Sequence, residues 1–281
     1  MTPEDKRETV EQLRETFGLS MRKMCQLVGL NRSSWYYEPK PDNDEPVRVR
    51  LKELADEHKR WGYRRLHWQL RQEGYAINHK RTERIYREEN LMLRVKKRRK
   101  MASESRVTPA AATCRNERWA MDFMNDNLYH GRKFRILNVM DSYSRDYLGF
   151  EANTSIPGKK VCSVLDRLVW FNGKPKMITV DNGPEFIGKD LDAWACLHKV
   201  KLVFSRPGTP VDNAYVESLN GWLRDEWLNM NWFMSLDHAR QVIGQWREEY
   251  QTLRPHSGLG GRTPEEFRIR ETESFQEPVV L

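Results

Sequence analysis

The sequence predicts an α/β protein, a mixed central sheet with helices on both faces, preceded by small all-α modules. Three observations carry this. From residue 115 onward, short runs rich in β-branched and aromatic residues alternate with helical-period stretches, in the order strand, strand, strand, helix, strand, helix, strand, helix. Up to residue 93, apolar positions recur at helical spacing between Gly, Pro and Asn punctuation. The positive charge is gathered upstream of the sheet: residues 47–100 hold 18 Lys+Arg against 7 Asp+Glu, a balance of +11 in a chain of net charge +8, so the remainder sums to −3. A basic module beside a nearly neutral one suggests that the first holds a polyanion and the second does something else.

Bulk properties set the frame. With 281 residues, 38% of them hydrophobic, and ten each of Trp, Tyr and Phe, the chain can bury a substantial core. No stretch approaches the roughly 20 apolar residues of a membrane span. The polar N-terminus lacks a signal-peptide core, so a cytoplasmic, nucleoid-associated location with no membrane partner is expected. Cys25, Cys114, Cys162 and Cys196 are scattered and form no CxxC pair, so free thiols are expected rather than a disulfide or zinc framework.

The first module, residues 1–40, reads as short helices. Val10, Leu13 and Phe17 form an apolar stripe that Gly18 ends. Met21, Met24, Leu27 and Val28 form a second, and Asn31 opens a short third helix after the Gly29 turn. Helix, glycine turn, capped helix is a helix-turn-helix-like pattern that suits DNA or partner binding, although many small helical domains share the spacing and only pack. Residues 38–46, with three prolines and several acids, have a linker composition.

The second module spans 47–100. Leu51, Leu54 and His58 share a face, Trp61-Gly62-Tyr63 breaks the run, Leu66 and Leu70 lead to the Gly74 stop, and Asn78 caps a helix carrying Thr82, Ile85 and Tyr86. Arg64, Arg65, Arg71, Lys80, Arg81, Arg84 and Arg87 decorate these helices, with Trp, Tyr and His between them. That pattern suits the phosphates and grooves of double-stranded DNA, although exposed charge is ordinary on any solvated helix. Lys96, Lys97, Arg98 and Arg99 form a basic cluster expected on a phosphate backbone, and a Ser/Thr/Ala-rich linker, 101–114, follows.

Residues 115–270 hold the sheet, with 271–281 as a tail. Strands are expected at 118–123, 134–141 and 147–151, with His130-Gly131-Arg132 turning between the first two. A helix at 161–171, a buried strand at 176–180, a helix at 191–198, a short strand at 202–204 and long helices at 214–228 and 236–250 complete it.

Asp122 ends the first of these strands and Asp181 the fourth, before Asn182-Gly183-Pro184, while Glu217 lies one turn inside a helix announced by Asp212-Asn213. Functional groups collect at the carboxyl ends of strands where loops diverge. Three carboxylates form a donor set for Mg²⁺ or Mn²⁺, hard cations that prefer oxygen. Such a set can hold two ions when a phosphodiester supplies further oxygens. Without ions the acids repel one another and at least one pKa should rise. On the Glu217 helix, Asn220, Gly221 and Arg224 share the glutamate's side, so Asn220 and Arg224 are expected to reach DNA. Asp126 and Asp141 are rival acids. Asp141 in DSYSR is expected to organise a strand end with Ser144 and Arg145, Glu185 to neighbour the site, and His256 to pack rather than contact DNA.

The segments WAMD (119–122), VDNGPEF (180–186), RPGTPVDNAYVESLNGWLRDEWLN (206–229) and RPHSGLGGRTPEEF (254–267) closely resemble the integrase-core transposases of bacterial insertion sequences. More narrowly, they look like the catalytic second-frame product of the two-frame family related to retroviral integrases. The second acid and the glutamate stand 35 residues apart and Arg224 follows seven later, as that DDE signature requires. The resemblance covers about residue 47 to the end. It implies an RNase H-like fold, two divalent metal ions on Asp122, Asp181 and Glu217, and DNA strand cleavage with strand transfer at element ends. It also implies a homo-oligomer on DNA and an upstream-frame fusion partner made by frameshifting. Met124 stands where Thr is frequent, and Gln251 where Tyr-Asn is usual. Two other classes compete: a DNA-binding regulator without catalysis, against which the intact acids argue, and a nuclease of similar fold that cuts without joining.

Overall fold

The computed structural model describes residues 2–37, 44–93, 111–206 and 213–274, in two units, Met1–Pro46 and Val47–Leu281. The expected phosphate cluster Lys96, Lys97, Arg98 and Arg99 lies outside the described residues, as do most of the 101–114 linker and the tail.

In the first unit, Thr2 and Asp5 exchange hydrogen bonds in a capping box that opens α1 (Pro3–Phe17), and Gly18 closes it in the left-handed region. Gly29 ends α2 (Met21–Val28) in the same way, and the Asn31 side chain caps α3 (Arg32–Trp35). Three short helices enclose only a small core, Val10, Met24, Cys25 and Leu30. Two residues expected in the stripes are left out of it: Phe17 and Leu27 are each 64% exposed. Helical spacing fixes a direction around the axis, but Phe17 sits in the last turn with no facing element to cover it.

The second unit begins, from Val47 on, with α4 (Glu45–Glu57), α5 (Tyr63–Gln72) and α6 (His79–Glu88), packed on Leu51, Leu54, Trp61, Leu66, Leu70 and Ile85. α4 starts inside the expected linker. His58, expected on its apolar face, lies just beyond its end and stacks on Trp61 with ring centroids 3.9 Å apart.

Five strands follow: β1 (Arg118–Asn127), β2 (Lys133–Asp141), β3 (Tyr147–Asn153), β4 (Met177–Val180) and β5 (Lys201–Phe204), in the order β3-β2-β1-β4-β5. The first three are antiparallel, while β4 runs parallel to β1 and β5 parallel to β4. Helix α7 (Gly158–Asn172) links β3 to β4, and α8 (Lys189–His198) links β4 to β5. Both pack on one face with Trp119, Met121, Val139 and Ile178. α9 (Ala214–Glu226) and α10 (Leu236–Thr252) cover the other face, with Ala120, Met124, Ile136 and Met140. Side chains alternate faces along a strand, so Asp122, between Met121 and Phe123, joins the α9 side. A last helix, α11 (Pro264–Ser274), ends the described chain.

The predicted strand and helix order is all present, and its mixed sheet covered on both faces is the RNase H-like α/β architecture. The cysteines are free. Among the described residues no helix is long and apolar enough to cross a membrane.

Candidate active site

Asp122, expected at the end of its strand, lies in the middle of β1, which pairs with β2 as far as Asn127; it stands opposite Asn138. Its Oδ1 accepts the Phe123 N–H at 2.8 Å, and its Oδ2 accepts the Asn220 amide N–H from α9, also at 2.8 Å. The carbonyl of Asn220 accepts from the Asn138 amide at 2.6 Å, and the Tyr147 hydroxyl donates to the Asn138 carbonyl. A hydrogen-bonded line therefore runs from β3 through β2 and α9 to one carboxylate. Asn220, expected on DNA, is 8% exposed with both ends of its amide engaged, so its contacts are internal. Helical spacing brought it beside Glu217, but the approach of α9 to the sheet points it inward. Asn138 was missed altogether; the signal was a buried Asn interrupting the apolar run FRILNVMD.

Asp181 leaves β4 for a tight turn, where its Oδ1 accepts the Gly183 N–H at 3.0 Å. A Cβ on Gly183 would come within 2.9 Å of that oxygen, so the turn excludes any larger residue without moving the carboxylate. Beside it, Glu185 pairs with Arg135, whose guanidinium lies 4.1 Å from the Phe123 ring centroid and holds the Glu185 carboxyl below the usual range. Glu217 is exposed in the first turn of α9. The start of α9 is tied to β1 by Asn213, whose amide donates to the Met121 carbonyl at 3.2 Å.

Asp122 feels the charges of the other two predicted acids. Burial pushes the Asp122 carboxyl up to about 6, and the charges of Asp181 and Glu217 push it the same way, against the hydrogen bonds from Phe123 and Asn220. Burial also raises Glu217. Among the described residues no three His, Cys, Asp or Glu side chains close into a ready-made ion cage. The donor set is nonetheless all oxygen, and a cation there would offset the repulsion that raises Asp122. The residues present therefore fit oxygen-preferring divalent ions.

Arg224 donates to the Asn125 carbonyl at 2.7 Å and lies 3.9 Å from Asp126, at the β1 end beyond Asp122. Asp141 accepts from Tyr143, Ser144 and Asn116 as a strand-end organiser, whereas Arg145 turns away to cover Tyr215. Gln251 ties α10 to β3 by accepting from Tyr147 N–H and donating to Asp146.

Of the basic residues on α5 and α6, Arg64, Arg71, Lys80, Arg84 and Arg87 are exposed and Arg81 half-buried. Arg84 and Arg87 pair with Glu88 and Glu83 along α6. Arg65, expected on phosphate, pairs instead with Glu226 of α9. Burial first, then Arg254, lowers its guanidinium to about 10. Gln72 bonds Glu266, and Trp68 lies against Gly261. The basic module is thus docked on the catalytic domain, a contact that neither segment's own periodicity reveals.

The fold, with two successive matches to the family described as Integrase core domain over residues 112–210 and 198–264, defines the class: a DDE transposase/integrase, a polynucleotidyl transferase. The HTH-like domain family matches residues 41–99, the second helical module. The chain is 42% identical over 270 residues to the uncharacterized 31.7 kDa protein of insertion element IS407 from Burkholderia multivorans, spanning 96% of this chain and 98% of that one. It is 39% identical to the uncharacterized 39.2 kDa protein of IS476 from Xanthomonas euvesicatoria, over 95% and 78% of the two chains. Transposase InsF of insertion sequence IS3A from Escherichia coli is 26% identical, over 88% and 93%. Among solved structures, the HTLV-2 integrase catalytic core with magnesium aligns at TM-score 0.44 and 20% identity, covering 54% of this chain and 95% of that one. The chain belongs to the integrase-core transposase family of bacterial insertion sequences.

Proposed function

We propose that this chain cuts DNA at the ends of its own insertion sequence and joins the freed strands to target DNA by divalent-metal-dependent phosphoryl transfer. The observation that supports this best is that Asp122, within β1, feels the charges of Asp181 just beyond β4 and of Glu217 on α9. These three would hold Mg²⁺ or Mn²⁺, two ions per site, which when bound activate a water or a 3′-hydroxyl and offset charge on the leaving oxygen. The protein's own groups do the positioning. Asn220 and the Phe123 N–H fix both oxygens of Asp122, Gly183 fixes one of Asp181, and Arg224 offers a cation to the strand beside them.

Arg64, Arg71, Lys80, Arg81, Arg84 and Arg87 would hold the duplex, with Lys96, Lys97, Arg98 and Arg99 along its backbone. Two ends must be processed together, so at least a dimer forms on DNA in this reading. The residues-1–40 module and any upstream-frame fusion partner contribute to end recognition, and the chain works in the cytoplasm on the nucleoid.

The test is cleavage and strand transfer on duplexes carrying the inverted repeats that flank the coding sequence, with Mg²⁺ or Mn²⁺. A covalently joined product is expected, absent with EDTA. Asp181→Asn should abolish cutting and joining while DNA binding persists. Strand transfer surviving in that variant refutes the assignment, and cutting without any joined product reduces the chain to a nuclease.

A further inference from the structure

A cavity of about 370 Å³ lies between α5 of the basic module and α9, the helix that carries Glu217. Its wall contains four guanidinium groups, Arg64, Arg65, Arg145 and Arg254, and no carboxylate. Arg65 and Arg254 share a single counter-charge behind the wall, Glu226. Arg145 donates to the Ser142 carbonyl and lies 3.4 Å from the Tyr215 ring centroid, and Arg64 turns onto its neighbour Tyr63. The lining therefore carries more positive than negative charge, most of it in a recess where water screens it less than at the open surface.

The wall also holds polar atoms with nothing to bind. Arg254, Tyr250 and His256 are 2%, 1% and 6% exposed, yet Arg254 Nη2, the Tyr250 hydroxyl and His256 Nε2 have no hydrogen-bond partner. These three atoms are enclosed and do not open onto the recess, so what a ligand would meet there is the guanidinium-rich lining, which suits a negative charge. That ligand is an anion with hydrogen-bonding oxygens. Rings supply the rest of the lining, with Trp68, Tyr215 and Trp222 interleaved among the guanidinium groups. Alternating cation and ring is the surface that takes a phosphate and a base together. The volume is at the small end of ligand pockets, which suits one nucleotide and not a stretch of duplex.

We infer that this pocket receives one unpaired nucleotide of the DNA being processed, its phosphate on Arg145 and Arg254 and its base against Tyr215 and Trp68. The inference rests on the proposed DNA substrate and adds to it a second contact beyond the acids. Tyr215 and Ser218 reach the pocket from α9 on a different side of the helix from Glu217, so the pocket would hold the DNA at a point separate from the acids. Holding an extruded nucleotide there would keep the end of the duplex open for the reaction.

The experiment is fluorescence anisotropy of the full chain with two short duplexes of one sequence, one fully paired and one with its terminal nucleotides unpaired and carrying 2-aminopurine. The unpaired probe is expected to bind roughly tenfold tighter, with its fluorescence quenched by ring stacking. Tyr215→Ala, on an exposed ring, and Arg145→Asn, which suits the left-handed backbone at φ 62°, should each remove most of that preference. Paired-duplex affinity should stay within about twofold in both variants, since the paired probe leaves the pocket empty. If the native chain binds both probes equally, or both variants keep the preference, the pocket is overturned while DNA binding stands. If neither probe binds, the DNA reading falls with it. Should Arg145→Asn fail to fold, Tyr215→Ala alone decides.

Discussion

The Asn220 amide donates to Oδ2 of Asp122 at 2.8 Å while its carbonyl accepts from Asn138 at 2.6 Å, so one helix residue holds a carboxylate to the central sheet. A hydrogen bond to a charged acceptor contributes about 1.5–3 kcal/mol. Asn220→Ala should therefore slow single-turnover cleavage by roughly ten- to a hundredfold, with DNA affinity by anisotropy essentially unchanged. Equal losses in rate and affinity would show that Asn220 meets DNA after all.

Asp122 supplies a pH signature in metal-free protein. Its folded pKa of about 6 lies above the ordinary 3.8, so the folded state holds a proton that the unfolded state has released. The associated stability is fully present below pH 3.8 and is lost as pH rises through about 6, by at most ~3 kcal/mol. Asp122→Asn removes this dependence. In EDTA, the variant should be more stable than the native chain at pH 8, and the difference should shrink towards pH 4. Thermal melts at both pH values check it, and adding Mg²⁺ should raise the native Tm alone.

His256 gives the opposite slope. It packs edge-on against Tyr250 and Trp222, and burial, then Arg254, Arg65 and Arg145, lower its pKa from 6.5 to about 3. The unfolded chain therefore takes up a proton that the folded chain refuses. Stability from this group is full above pH 6.5 and is lost as pH falls towards 3, at up to ~1.4 kcal/mol per pH unit. His256→Phe keeps the ring and removes the slope. Urea unfolding at pH 6.5 and 4.5 should show the native chain losing about 1–3 kcal/mol more than the variant.

Glu226 pairs with both Arg65 and Arg254, which are stacked against the Trp222 ring at 5.6 and 4.4 Å. Removing it leaves two largely buried guanidinium groups uncompensated, and breaking a buried pair from one side costs about 3–5 kcal/mol. Glu226→Gln should cost that order of stability, and clearly more than Arg65→Met, which leaves Glu226 with Arg254. Chemical denaturation of the three proteins compares them; equal losses would mean that the network is solvated and weak.

The sheet's strands and their intervening helices were legible in the sequence because each is a local matter, whereas the three acids were singled out by the ordered series of motifs around them. A strand announces itself by the residues it buries, but not where it stops: β1 runs five residues past Asp122. Asp181 before Asn-Gly and Glu217 behind Asp-Asn carry their setting with them. The inward turn of Asn220 was not legible, because helical spacing places a residue on a face without saying what that face meets. Nor was the docking of Arg65 on Glu226, 161 residues apart. On its own helix, Arg65 is one more cation in a row of cations.

The amino-acid sequence alone thus determined the order of strands and helices in a mixed sheet, since periodicity is written residue by residue, and its motifs carried the resemblance that placed the chain among integrase-core transposases. Only the tertiary structure decided which polar side chains face each other, as Asn220 faces Asp122 and Arg65 faces Glu226. Burial and ion pairing depend on what packs opposite, and that is set by segments far away in the chain.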